Sequence, residues 1–342
     1  MKHDCNKAKS KRENESSSTI PNPTHLNFNL KTYFCAMQNQ NKKGIGKSMM
    51  NKIVYGLFRA LIGVIGWIPF SILYVFSDGL AFFLQRIIRY RKSVIEENIR
   101  NSFPEKTDAE VQSIIHKFYR NLSDIILEGA KGYSYPPEKL AKRFHILTPP
   151  KLKTYYESGK SVILVGAHFS NWEWGMMCGG LYSYHHVMCY YQPIRNDFIN
   201  EFYRKRFSTG RNLTTVSKKQ VVRNFMMHRK DAVAHLLISD QSPSSLSNGV
   251  WVDFLNQDTL SINGPEKLAQ KFDFPIFYMH FVRVKRGWYK IEMTELIDKP
   301  RETQEGEITT MFMNTLEKHI KERSENWLWS HKRWKKKRPT SE

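Results

Sequence analysis

The chain has 342 residues, 41% of them hydrophobic, and 53 Lys and Arg against 32 Asp and Glu, a formal net charge of +21. Such a length and apolar content exclude disorder throughout and allow one large core with appendages, while the positive field favours an anionic partner, nucleic acid or anionic lipid. Cys5 and Cys35 lie in a polar leader and Cys178 and Cys189 in the globular part, a spacing of neither a disulfide framework nor a zinc ribbon, which fits a reducing compartment.

Residues 1–48 are rich in Lys, Asn and Ser, and "NESSSTIPNPTH" has no apolar period, so disorder is expected there. A translation start at Met49 or Met50 is equally compatible with the text of the chain, and the leader lacks the apolar core and cleavage site of a signal peptide. Residues 49–88 read as a membrane-anchoring helical segment: between Ile53 and Ile88 only Arg59, Asp78 and Arg86 are charged, over more length than one span requires. Pro69 and Asp78-Gly79 interrupt it, which leaves one tilted span with an amphipathic follow-on, or a helical pair lying shallowly in one leaflet. A buried core helix pair is the plainer alternative. Basic residues flank both ends, so charge bias does not orient the segment.

Residues 89–150 carry apolar residues at helical spacing, broken at "FPEKTD", where Thr107 or Asp108 can cap the next helix; they read as a helical connector. Over 151–338 the pattern changes. "KSVILVGAH", "DAVAHLLISD", "FPIFYMHFVRV" and "GWYKIEMTEL" look like strands, with helical stretches between several of them. The expected fold is α/β, a mostly parallel or mixed central sheet flanked by helices, with the N-terminal segment membrane-associated. The tail "ENWLWSHKRWKKKRPTSE" interleaves tryptophans and cations; on a helix it would make an interfacial anchor to anionic lipid, and otherwise it is a solvated tail or a weaker phosphate-backbone binder.

One stretch asks for chemistry. "VGAHFSNWEWG", residues 165–175, ends an apolar strand at His168 and places Glu173 in the first turn of a following helix. A histidine at the carboxyl end of a strand sits where α/β domains form clefts. With a carboxylate behind it, a neutral imidazole can take a hydroxyl proton, and the helix N-terminus would offer N–H donors to developing negative charge. Against this stand two structural readings: Ser170 and Glu173 form a capping-box pattern, and His168 can be a satisfied core histidine. No nucleophile elbow, zincin, phosphate-loop or dinucleotide motif is present. His185-His186 is a weak metal candidate, because adjacent residues on a strand face opposite ways.

"GAHFSNWEWG" resembles the H-x4-D/E motif of the lysophospholipid acyltransferase superfamily. Taken with "RYRKSVIEENIRNSFPEKT", "SDQSPSSLSNGVWVDFLNQ", "NGPEKLAQKFDFPI" and "ENWLWSHKRW", in matching order over about residues 50–338, the chain resembles the bacterial lipid A biosynthesis (lauroyl/myristoyl) acyltransferases. The resemblance implies O-acylation of a lipid A precursor from acyl carrier protein, at the cytoplasmic face of the bacterial inner membrane, with anionic membrane lipid as a further partner, no nucleic acid, and no metal or other cofactor. It implies His168 as general base, Glu173 as its orienting partner, and Arg206, ahead of Arg204, with Asp240 and Gln241 as substrate-binding residues. The plainer readings are a solvated helix face for Arg206 and a turn or cap for Asp240-Gln241. Gln192 in place of an arginine, Ala167 in place of an asparagine, and "VDFLNQ" without the second aromatic and glycine depart from the pattern, which bears on chain length and acceptor. Another lipid or hydroxylated acceptor, or a non-catalytic basic membrane-anchored binding protein, are the alternatives.

Overall fold

The computed structural model describes residues 30–208 and 212–339, with backbone only over 30–47 and at 137. By its internal contacts the chain divides after Phe58 into residues 1–58 and 59–342. Of the leader expected to be disordered over 1–48, residues 1–29 lie outside the described part. From Leu30 the backbone is helical, as α1 (Leu30–Trp67), and no proline falls between Pro23 and Pro69 to interrupt the ladder.

Within the larger unit, Pro69 starts α2 (Phe70–Phe82), which continues through one wide turn to Ile87. By length and composition Ser48–Trp67 and Phe70–Ile87 are each apolar enough to cross a membrane, and both are mostly exposed. Two devices fasten residues 65–82 to the rest of this unit. The buried Lys131 ammonium donates to the carbonyls of Ile65, Gly66 and Ile68 at 3.3, 2.9 and 2.7 Å, filling acceptors that a helix end leaves open. One stripe of α2, Leu73, Ser77 and Ala81, is buried, and Ser77 donates to Asp124 at 2.6 Å; its other side exposes Ile72, Val75 and Phe76.

Next come α3 (Lys92–Ser102), α4 (Asp108–Gly132) and α5 (Pro137–Ala141). Thr107 caps α4: its hydroxyl accepts from Glu110 N, and Glu110 accepts from Thr107 N at 2.9 Å. Val111, Ile115, Phe118, Leu122 and Ile125 recur at helical spacing and are buried. The stretch 89–150 is more than a helical connector, because it also holds β1 (Phe144–Leu147), an edge strand of the main sheet. Phe144 is buried and stacks on Tyr289, anchoring the strand by one residue, which local helical periodicity over 89–132 did not foreshadow.

The rest is α6 (Pro150–Glu157), β2 (Val162–Gly166), α7 (Trp172–Cys178), β3 (His186–Tyr191), α8 (Asp197–Ser208), β4 (Leu213–Ser217), α9 (Val221–Met227), β5 (Val233–Ile238), β6 (Gly249–Phe254), β7 (Gln257–Ile262), α10 (Gly264–Phe272), β8 (Ile276–Lys285), β9 (Trp288–Ile297) and α11 (Glu307–Glu322). The main sheet has seven strands in the order β1-β9-β8-β2-β5-β3-β4, parallel except where β9 runs against β8. This is the expected mixed, helix-flanked α/β architecture. β2 is buried on both faces, as the central strand of such a sheet must be. Ile163 and Val165 enter one core with Phe169 and α11, and Val162 and Leu164 enter the other with Trp174 and Phe281. β6 and β7 form a separate hairpin turned by Leu255 and Asn256, both left-handed at φ 51° and 60°; Asn tolerates that region well, so the absent glycine of "VDFLNQ" leaves the turn intact.

The C-terminal tail is not an anchoring helix. After a short turn at Ser324–Asn326 it packs back onto the body, with Trp327, Trp329 and Arg333 almost wholly buried. The indoles donate to Asp240 Oδ2 at 2.9 Å, Ser324 O at 2.6 Å and, from Trp334, Thr259 Oγ1 at 2.7 Å. Burying each ring stabilises the fold by roughly 1.5–3 kcal/mol or more, and with its N–H satisfied inside there is no call for a bilayer interface.

Candidate active site

The site grows out of the register of two neighbouring strands. β2 and β5 are parallel, with Gly166 opposite Ile238. Two residues beyond each strand end stand His168 and Asp240, which chain geometry therefore brings side by side at the carboxyl edge of the sheet. The His168 Nδ1–H donates to Asp240 Oδ1 at 2.7 Å, and the His168 backbone N–H donates to Oδ2 at 3.0 Å. Trp327 Nε1 donates to the same Oδ2. A carboxylate only accepts, so this contact places the imidazole proton on Nδ1 and leaves Nε2 as a lone-pair acceptor.

Backbone bonds hold the loop. Ser170 N donates to Asn326 O at 2.7 Å, Leu328 N donates to His168 O at 3.1 Å, and Phe169 bridges Trp327. The segment after α11 thus clamps both the loop of His168 and its carboxylate. Ser170 takes a left-handed φ of 54°, and the cap of α7 falls one residue later than the capping-box pattern suggests: Asn171 Oδ1 accepts from Trp174 N at 3.0 Å. Asn171 in turn donates from Nδ2 to the buried Glu128 at 2.6 Å, and Tyr289 and Tyr74 donate to the same carboxyl at 2.7 and 2.8 Å. Burial pushes the Glu128 carboxyl up to about 7 despite those bonds.

Burial by itself would lower the basicity of His168, but the charge and hydrogen bond of Asp240, with Glu173 behind, outweigh it and hold the imidazole above its ordinary pKa. For Asp240, burial pushes upward, while His168 and the Trp327 N–H keep the carboxyl below its ordinary value and ionised. The His168 side chain is 22% exposed, and the Trp172 ring meets it edge-on, centroids 5.2 Å apart. Gln241 Nε2 lies 3.4 Å from His168 Nε2, a long contact.

Glu173 is in the first turn of α7, as the sequence implies. It acts on His168 through its charge; among the described residues the hydrogen-bond partner of Nδ1 is Asp240. Burial raises the Glu173 carboxyl, whose charge also reaches Tyr133, Tyr203 and Cys189. Arg206 is no solvated helix residue: its Nη2 donates to Gly132 O at 3.2 Å and to Tyr135 O, tying α8 to the end of α4. Arg204 pairs with Glu201 at the surface. His185 contacts Lys160 O, whereas His186 contacts Asn212 and Thr214, so the two histidines face separate partners.

The structure thus joins His168, Asp240 and Gln241, keeps Glu173 within electrostatic reach, and gives Arg206 backbone partners. Sequence reasoning missed Trp327 and Asn171 as supports, and missed Asp240 as the residue on Nδ1. The signal for Asp240 was available: it ends "DAVAHLLISD" as His168 ends "SVILVGAH", and equal offsets from adjacent parallel strands meet.

An imidazole held by a buried carboxylate at the carboxyl edge of an α/β sheet is an arrangement that can take a proton, in a chain with two helices apolar enough to cross a membrane. The chain belongs to the bacterial lipid A biosynthesis acyltransferase family, which it matches over residues 43–336. Among its relatives are the lipid A biosynthesis palmitoleoyltransferase of Escherichia coli (strain K12) and the lipid A biosynthesis acyltransferase of Shigella flexneri. Each is 22% identical over 277 residues, covering 80% of this chain and 88% of the relative.

Proposed function

We propose that this protein transfers a fatty acyl chain from an acyl carrier protein thioester to a hydroxyl of a lipid A precursor, at the cytoplasmic face of the inner membrane. The observation that carries the reading is the commitment of His168 Nδ1–H to Asp240, which leaves Nε2 free to accept a proton in a chain of this family. In the reaction, Nε2 takes the acceptor hydroxyl proton as the oxygen attacks the thioester carbonyl. The tetrahedral intermediate collapses with loss of the C–S bond, and the imidazolium returns the proton to the departing thiolate. Asp240 and the more distant Glu173 stabilise the imidazolium, Gln241 attends the hydroxyl, and Arg206 acts in positioning by holding α8 to α4.

Two further features support the reading. A narrow apolar cavity of about 20 Å³, lined by Leu164, Gly175, Gly179, Ala234, Leu236 and Phe281, is a candidate acyl slot that would have to widen to take the chain. The exposed apolar sides of the N-terminal helices suit membrane attachment. Because α2 is fastened lengthwise through Tyr74, Ser77 and Asp78 to Glu128, Asp124 and Arg286, we read it as lying along the membrane surface. The test is mass spectrometry of lipid A from cells with and without the gene, complemented by wild type or His168→Ala. Loss of one acyl chain restored only by wild type is expected; full rescue by His168→Ala would exclude the histidine as base.

A further inference from the structure

A groove of about 360 Å³ opens between one side of α4, the turn joining β8 to β9, and the segment after α11. Its walls carry six cations, Lys117, Arg120, Arg283, Lys285, Arg286 and Arg323. Three carboxylates face them. Asp124 accepts from Arg283 and Arg286 at 2.6 and 2.7 Å, Asp78 pairs with Arg286 and Arg120, and Glu325 lines the far wall. Those pairs set the arginines in place, yet positive charge remains in excess, and Lys117 and Arg323 form no ion pair with a described residue. Asn326 closes the groove, 4% exposed, with its side-chain oxygen lacking a hydrogen-bond partner among the described residues.

We propose that this groove holds a phosphate monoester borne by a lipid head group. Preplaced guanidinium forks beside unpaired ammonium and guanidinium groups suit a compact dianion, and the Asn326 oxygen suits a neighbouring hydroxyl. The setting points to lipid: Val284, 61% exposed, stands on the rim, and Arg286 reaches to Asp78 on α2, whose outer side is apolar. The groove is also coupled to the site. Asn326 receives Ser170 N–H through its carbonyl, and the next residue, Trp327, donates to Asp240, so a head group seated here lies against the loop that carries His168. Identifying that head group with the acyl acceptor's rests on the acyltransfer reading; the binding itself does not.

The full chain in non-ionic detergent is titrated by calorimetry with dioctanoyl phosphatidic acid, dioctanoyl phosphatidylglycerol and inorganic phosphate. Wild type is expected to bind the monoester lipid about tenfold more tightly than the diester. Lys117→Ala/Arg323→Ala is expected to lose about tenfold for the monoester, while Lys218→Ala/Lys230→Ala, removing the same charge from exposed positions flanking α9, binds as wild type. Equal loss in the two double variants, or equal affinity for the two lipids, overturns the groove as a phosphate site. Inorganic phosphate binding as tightly as the lipid keeps the phosphate chemistry and rejects the lipid as its source. Retained monoester binding with no acyl transfer by wild type sinks the acyltransfer reading while the groove stands.

Discussion

Asp240 accepts the His168 Nδ1–H at 2.7 Å from a position fully inside the fold, and its charge is what lifts the imidazole above its ordinary pKa. Only the neutral imidazole can take a proton, so turnover rises with pH along an acid limb set by His168. Asp240→Asn removes the charge that raises this group, so the limb moves to lower pH, while loss of imidazolium stabilisation lowers the pH-independent rate by about 10²–10⁴-fold. A pH–rate profile checks both; an unmoved limb would falsify the assignment.

Glu173 influences His168 by charge without holding it. Glu173→Gln, of equal size, is expected to move the same limb in the same direction and lower turnover by about 10–10²-fold. Comparing its profile with that of Asp240→Asn identifies which carboxylate governs the imidazole during turnover: the larger shift belongs to the residue in contact.

Trp327→Phe keeps a buried ring but deletes the N–H that reaches Asp240 Oδ2. Loss of a hydrogen bond to a buried charge costs roughly 1.5–3 kcal/mol, measurable by denaturant titration. The acid limb should rise slightly, because a less solvated Asp240 charge attracts the imidazolium proton more strongly. Wild-type stability in this variant would show that the indole contributes packing alone.

Glu128 is buried with its carboxyl raised to about 7, against an ordinary value near 4.3 in the unfolded chain. Between those values the native state binds the proton and the unfolded state does not, so stability is full below the unfolded pKa and falls as pH rises toward 7. Glu128→Gln removes that loss, on the order of 3 kcal/mol, and should flatten the dependence of melting temperature on pH between about 4 and 7. A variant that keeps the wild-type slope assigns the pH dependence elsewhere.

Gly179 lines the apolar cavity, and a Cβ built there meets no atom within 4 Å. The larger side chain of Gly179→Phe is expected to narrow the slot. Shorter acyl donors should then be used in preference to longer ones, with turnover on the shorter donor retained. An unchanged length preference places the acyl chain outside this cavity. Gly175→Ala is the contrasting case, since its Cβ would lie 2.3 Å from the Phe281 ring; overpacking should cost about 1–3 kcal/mol.

Much of the architecture was legible because it is local. The four apolar runs read as strands are β2, β5, β8 and β9, the Thr107 cap was visible from residue type, and Glu173 falls in the helical turn its spacing implied. β1 escaped notice, since four residues at an edge carry too short a pattern to register. Ser170 looked like the cap of α7, but a backbone bond to Asn326 holds it in a left-handed turn, and a contact 156 positions away leaves no mark on the local sequence.

By itself, the sequence determined which segments are apolar, which alternate and which carry the histidine and its candidate partners, because periodicity and residue chemistry are properties of neighbours along the chain. Tertiary structure alone decided which carboxylate meets the imidazole and where the tail tryptophans go. Strand register sets Asp240 against His168 across 72 residues. Trp327 and Trp329 are buried and Trp334 partly so, each with its N–H accepted by an oxygen of the fold, since a buried polar group settles where its partner is.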